Sequence, residues 1–183
     1  MVEHMKKTLI LMVIFVFTLG FAYPLLGTFL SQEIFNFQAN GSITGNGSLL
    51  IGQTWSGPSW FHGRPDGSLV TLGNGNVIVS GTNQPGPSSK ALRNFVKKQA
   101  AILRADGIIP TNDLVTPSGS LVDPDISPQD AYAQVPAISN ARHISQSKLL
   151  TLISQSIHPR EFGFLGNSYI DVLEINTKLA SLS

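Results

Sequence analysis

The pattern of apolar and polar positions changes character twice along the chain. Residues 9–30 carry no charge, and charge-free flanks extend that run from residue 8 to residue 32. A helix of this length, at about 1.5 Å per residue, crosses the roughly 30 Å hydrocarbon layer of a bilayer. The run predicts one transmembrane helix over residues 8–31. Pro24 and Gly27 do not exclude it, because membrane helices tolerate both where neighbouring helices re-satisfy the freed backbone groups. Gly20 and Gly27 are small and Pro24 interrupts the backbone ladder, so Gly20, Pro24 and Gly27 are the expected helix-packing positions.

Between residues 40 and 87 the apolar runs are short and lie among Gly, Asn, Ser and Thr, with eleven of the seventeen glycines in this stretch. Runs at 48–51, 60–62, 69–72 and 77–79 predict strands between the turn signals Asn46-Gly47, Asp66-Gly67 and Asn74-Gly75. From residue 88 the period becomes helical. Leu92, Phe95, Val96, Ile102 and Leu103 recur at spacings of three and four, with Ser88 or Ser89 to cap the start and Gly107 to end it. Ser127-Pro128 with Asp130 reads as a capped helix start, and that helix is expected to stop near Val135 because Pro136 follows. Ser145 opens an amphipathic helix through Leu149, Leu150, Leu152, Ile153 and Ile157. A turn at Gly166-Asn167 leads to an apolar stretch over 169–173, and the residues through Leu182 are compatible with helix.

These elements predict an α+β protein: a cytoplasmic N-terminus at 1–7, the transmembrane helix at 8–31, and one extracytoplasmic α+β domain at 32–183, β-rich over 40–87 and helix-rich over 88–183. The orientation comes from charge. Lys6 and Lys7 precede the apolar run, whereas Glu33 is the one ionisable side chain among residues 31–60, and the basic flank of a span stays inside. A cleaved secretory signal is the alternative, since Lys6-Lys7, the apolar run and Gly20-Phe21-Ala22 match its three regions. Against it, hydrophobicity continues through Leu25, Leu26, Phe29 and Leu30.

Beyond the span the chain is neutral, with ten Lys and Arg against ten Asp and Glu from Glu33 onward. No broad basic surface for nucleic acid follows from that balance. Lys90, Arg93, Lys97, Lys98 and Arg104 do accumulate on one predicted helix, where a solvated face is the plainer reading and a cationic docking surface the sharper one. With no cysteine, thiolate metal sites, disulfides and cysteine nucleophiles are all excluded.

Catalytic chemistry is hard to assemble. No phosphate-binding glycine-lysine loop or dinucleotide pattern occurs. Asp113, Asp123 and Asp125 bracket a Ser-Gly-Pro turn without the spacing of a calcium loop. His62, His143 and His158 stand singly, so no metal site is expected. Ser118 or Ser120 with a histidine would make a nucleophile and base, but the Gly-x-Ser-x-Gly elbow is missing. A lone span also cannot build an ion pathway.

Several phrases together are similar to the C subunit of the Kdp potassium-transporting P-type ATPase. They are Tyr23-Pro24, Gln38-Ala39-Asn40-Gly41-Ser42, Leu50-Ile51-Gly52-Gln53, Trp60-Phe61-His62-Gly63-Arg64-Pro65, Asp113-Leu114-Val115-Thr116, Asp123-Pro124-Asp125-Ile126-Ser127-Pro128, Gln134-Val135-Pro136 and Phe164-Leu165-Gly166. They run in the family's order from the anchor to near the end. The stretch 66–79 departs from the family's usual wording, as do Gly86-Pro87-Ser88-Ser89, Pro117, Leu121-Val122 and Asp125.

The resemblance implies a non-catalytic accessory subunit in the cell membrane, working beside a pore-forming potassium subunit, an ATPase subunit and a small F subunit in contact with membrane lipid. It implies no firmly held cofactor, with ATP entering through the complex. The family is described as a catalytic chaperone that raises the ATPase subunit's affinity for ATP. Gln134 is then the candidate nucleotide contact, because a side-chain amide pairs with a base or ribose through both donor and acceptor. The alternative for Gln134 is a helix-end role before Pro136. Since the topology puts most of the chain across the membrane from cytoplasmic ATP, an assembly or extracytoplasmic gating role follows better than direct nucleotide binding. The rival from another class is a stand-alone anchored envelope protein that binds a ligand or acts as a hydrolase.

Overall fold

A computed structural model describes residues 1–66, 68–72, 75–80 and 85–182. The chain divides into two compact units, residues 1–43 and 44–183. The protein is mostly helical, with small two-stranded sheets.

The first unit is dominated by a continuous helix over Val2–Ile34, none of it buried. At about 1.5 Å per residue it is about 50 Å long, enough to span a bilayer with both ends in the headgroup layers. Helix α1 (Val2–Phe17) leads into a π-turn at Thr18–Ala22 and then into α2 (Tyr23–Ile34). Pro24 explains the π-turn. Its missing N–H and its ring disturb the ladder one turn upstream, and the Tyr23 N–H reaches back five residues to Thr18. At the far end the backbone of Phe35 leaves helical geometry, with φ −127° and ψ 41°, before the short helix α3 (Asn36–Ala39). Gln32 and Asn40 are linked there by a 3.0 Å hydrogen bond from the Asn40 amide, and Phe35 and Phe37 stay exposed.

The second unit holds the core. Its short strands are β2 (Gly47–Ser48), which follows β1 (Ile43–Thr44), then β3 (Ser68–Leu72) and β4 (Gly75–Val79), and finally β5 (Asp125–Ile126) and β6 (Ile170–Asp171). β3 and β4 pair antiparallel from Ser68 opposite Val79 to Leu72 opposite Gly75, so the expected strands at 69–72 and 77–79 are present and longer. The expected turns at Asp66-Gly67 and Asn74-Gly75 include Gly67 and Asn74, which lie outside the described residues. β5 pairs antiparallel with β6. The expected strand at 48–51 ends after Ser48, and residues 60–62 form no strand.

Helix α4 (Lys90–Ala105) begins where the Ser89 hydroxyl accepts the Leu92 N–H at 3.1 Å and ends before Gly107, whose φ of +73° favours glycine. After α5 (Asn112–Val115), helix α6 (Pro128–Arg142) starts with a reciprocal Ser127–Asp130 cap and proline at its first position. α6 does not stop at Val135. It runs through Pro136 to Arg142, losing one internal hydrogen bond, because Ala131, Val135, Ala137 and Ile138 on both sides of the proline are buried in the core. α7 (Gln146–Ser156) buries Leu149, Leu152 and Ile153 as its pattern predicts. The apolar stretch 169–173 is divided between β6 and α8 (Val172–Ala180), since Asp171 caps α8 by accepting the Glu174 N–H at 2.7 Å. Phe61, Ile138, Leu149, Ile153, Ile170, Ile175 and Leu179, all fully buried, make the centre of the core.

Candidate functional site

Two helices of the second unit each present a polar residue on an apolar face. Besides Asp130 in its cap, the buried positions along α6 are Ala131, Gln134, Val135, Ala137 and Ile138, and along α8 they are Val172, Leu173, Ile175, Asn176 and Leu179. Gln134 and Asn176 are both fully buried, and a buried amide must find partners. Both find them in one segment. The Phe61 N–H donates to Asn176 Oδ1 at 2.9 Å and the Asn176 amide donates to the Phe61 carbonyl at 2.9 Å. One residue on, the His62 N–H donates to Gln134 Oε1 at 2.7 Å and the Gln134 amide donates to the His62 carbonyl at 3.1 Å. Side-chain amides thus take the place of the neighbouring strands that residues 60–62 lack.

The clamp fixes the next stretch of chain. Arg64 donates to Asp113 at 3.3 Å and to the Pro117 carbonyl at 3.4 Å, and stands 4.0 Å from Asp123. Asp66 accepts the Ser118 N–H at 2.6 Å, the Ser118 hydroxyl, and the Asp123 N–H at 3.0 Å. Leu121 completes this loop with φ +61°. Gly52 seals it from the other side, since its N–H donates to the Val122 carbonyl at 2.8 Å and a Cβ there would sit 2.4 Å from the Asp123 carbonyl oxygen. A cleft of about 400 Å³ opens beside this segment, lined by Trp55, His62, Arg64, Phe95, Gln99 and Asp106 among others. Behind it Arg142 lies 4.2 Å over the Trp60 ring and donates to the Ser59 carbonyl at 2.6 Å.

Electrostatics follow the packing. Burial pushes the Asp113 carboxyl above the usual carboxylate range, helped by its hydrogen bond to Asp130 and opposed by Arg64. Burial, with Asp123 and Asp171 adding repulsion, pushes Asp125 up to about 6. Asp125 and Asp171 are directly opposite in the β5–β6 ladder, where like charges are unfavourable. His158 binds Glu174 at 3.0 Å and stacks on Tyr169 at 4.8 Å.

The residues singled out in the sequence do not converge. Gln134 is inside the clamp, with both ends of its amide engaged. His62 contacts the Gly57 carbonyl at 2.9 Å, His143 ends α6 in the left-handed region at φ +58°, and His158 is on the β6 side. Among the described residues no three His, Asp or Glu side chains are grouped to hold a metal ion. Gly20 lies in the π-turn, and Cβ atoms built on Gly20 and Gly27 meet nothing within 4 Å. Sequence reasoning missed Asn176 and the hub role of Asp66. The signal for Asn176 was present, because it occupies an apolar face position of its helix.

A family model described as K+-transporting ATPase, c chain (KdpC) matches residues 5–181. Curated relatives match along nearly their whole length. The potassium-transporting ATPase KdpC subunit of Acidobacterium capsulatum is 40 % identical, over 97 % of this chain and 97 % of that protein. The KdpC subunit of Methylobacterium nodulans is 38 % identical over 100 % of this chain and 99 % of its own, and that of Caulobacter vibrioides is 38 % identical over 98 % and 93 %. With a match of this extent the chain belongs to the KdpC family, the c chain of the K+-transporting ATPase.

Proposed function

We propose that this chain is the non-catalytic accessory subunit of an ATP-driven potassium uptake pump, anchored by the Val2–Ile34 helix with residues 1–7 in the cytoplasm and residues 32–183 outside it. The observation that carries the reading is the family match over residues 5–181, which includes both the anchor and the folded unit. Its partners are the pore-forming potassium subunit, the ATPase subunit and the small F subunit, and its work is to stabilise their assembly and assist ATP-coupled import. The exposed aromatic turn supports a partnered role: Phe162 and Phe164 are 85 % and 71 % exposed, on a turn closed by hydrogen bonds between Glu161 and Leu165 at 2.9 and 3.0 Å. Exposed aromatic side chains on a hydrogen-bonded turn are suited to anchoring in another protein's pocket.

In this reading Gln134 acts as an internal clamp on His62 and not as a nucleotide contact. ATP could use the Gln134 amide only after both bonds to His62 were broken. Two experiments test the proposal. Cells lacking the chain should lose growth at low external potassium and regain it with the full chain, and undiminished growth without it contradicts the role. Protease added to cells with a permeabilised outer envelope should remove residues 40–183 and leave an N-terminal tag, whereas protection of those residues contradicts the topology.

A further inference from the structure

Helix α4 carries five basic residues and no acidic one in its sixteen positions. These five are half of the ten Lys and Arg in the chain from Glu33 onward. At 3.6 residues per turn, Lys90, Arg93, Lys97 and Arg104 point within about 60° of one another, along a stripe about 21 Å long. All of them, and Lys98 beside the stripe, are exposed. Among the described residues none of the five takes part in an ion pair, although Arg64, Lys178 and His158 do. Arg93 and Lys97 are four apart, a spacing at which like charges destabilise a helix. An ordinary solvated face intersperses both signs. This face keeps one sign at a cost to its own helix, which calls for an anionic partner surface.

We propose that the α4 stripe docks on the anionic phosphate headgroups of the membrane in which the chain is anchored. A protein partner is disfavoured by what else the stripe contains. Between the stripe and Lys98 lie Asn94 and Ala101, with no aromatic anchor, and three of the five cations are lysine; protein interfaces favour arginine but are depleted of lysine and are built around aromatic residues. A row of long cationic side chains matches a plane of anionic headgroups, and on a surface rich in anionic lipid each Lys or Arg strengthens attachment about fivefold. The effect is to hold the second unit against the bilayer and restrict its orientation. This inference needs the membrane anchor of the proposed function but not the pump assembly, so either can fail without the other.

The chain has no cysteine, so Ala101→Cys carries a single dye in the full chain. Energy transfer to headgroup-labelled acceptor lipid is measured in vesicles of phosphatidylcholine alone and of three parts phosphatidylcholine to one part phosphatidylglycerol. Transfer should rise with phosphatidylglycerol. It should fall when KCl is raised from about 0.1 M to about 1 M, which shortens the screening length from about 10 Å to about 3 Å. Replacing Lys90, Arg93, Lys97, Lys98 and Arg104 together by Gln should abolish the rise, and replacing Lys97 alone should weaken it about fivefold. Equal transfer in the two lipids overturns the proposal. So does loss of transfer on adding inorganic phosphate at matched ionic strength, which would mark a discrete anion site. Shielding of the dye in phosphatidylcholine only when the other pump subunits are present would assign the stripe to an acidic protein surface instead.

Discussion

Replacing Asn176 by leucine removes the two hydrogen bonds that hold Phe61, and the size of the effect follows from burial. Leucine has the branched shape of asparagine and leaves no cavity, so the loss falls on the Phe61 N–H and carbonyl, both in a residue that is 0 % exposed. Each buried backbone group left without a partner costs about 1–3 kcal/mol, so Asn176→Leu should destabilise the second unit by about 2–6 kcal/mol. Gln134→Leu removes the same pair of bonds from His62, which is only half-buried. Water can reach that backbone in part, and about 1–3 kcal/mol is expected. The two amides hold adjoining residues, so the double variant should cost less than the sum. Trp55 and Trp60, the only two tryptophans, are 5.0 Å apart beside Phe61, so tryptophan fluorescence in detergent reports this region. At about 3 °C per kcal/mol for a unit of this size, Asn176→Leu should melt about 6–18 °C below the native chain. Leucine variants within about 0.5 kcal/mol of native, the range of a neutral surface change, would refute the clamp.

Gly52→Ala should cost about 2 kcal/mol or more in the same melt, because its Cβ would lie 2.4 Å from the Asp123 carbonyl oxygen and backbone cannot yield as a side chain does; native-like melting would contradict the close approach. Asp125, raised to about 6 by burial and by Asp123 and Asp171, holds its proton more tightly folded than unfolded. Its contribution to stability is therefore full below about pH 4 and is lost as pH rises through about 6. Asp125→Asn should raise the melting temperature relative to native at pH 7.5 and not at pH 4, and an equal difference at both would disprove the assignment. Gly20→Leu and Gly27→Leu should weaken association with the other subunits while leaving membrane insertion intact, because close helix approach in lipid relies on small residues; unchanged co-purification of both would reduce the span to a tether.

Local signals carried the helices well. The charge-free run marked the long N-terminal helix, Ser89 and Gly107 bracketed α4, and Ser127 with Asp130 marked the start of α6, because caps and periodicity are written in neighbouring residues. Pro136 misled for the opposite reason. Its local cost argues for a stop, yet packing of Val135 on one side and Ala137 and Ile138 on the other holds the helix together. Residues 60–62 had the composition of a strand, and only the distant Gln134 and Asn176 determine that their backbone is satisfied by side chains. The family resemblance pointed to Gln134 without revealing its partner, since the position of His62 depends on the whole fold. The uniform charge of α4 was visible at once, but that it forms no ion pair among the described residues became visible only in three dimensions.

Membership of a working pump is tested by co-isolation. The tagged chain is expressed with its own operon, extracted in mild detergent and purified through the tag. A large pore subunit and a P-type ATPase subunit should come with it in fixed ratio, and the preparation should hydrolyse ATP in response to potassium. A lone chain, or one with hydrolytic turnover of its own, would contradict that membership.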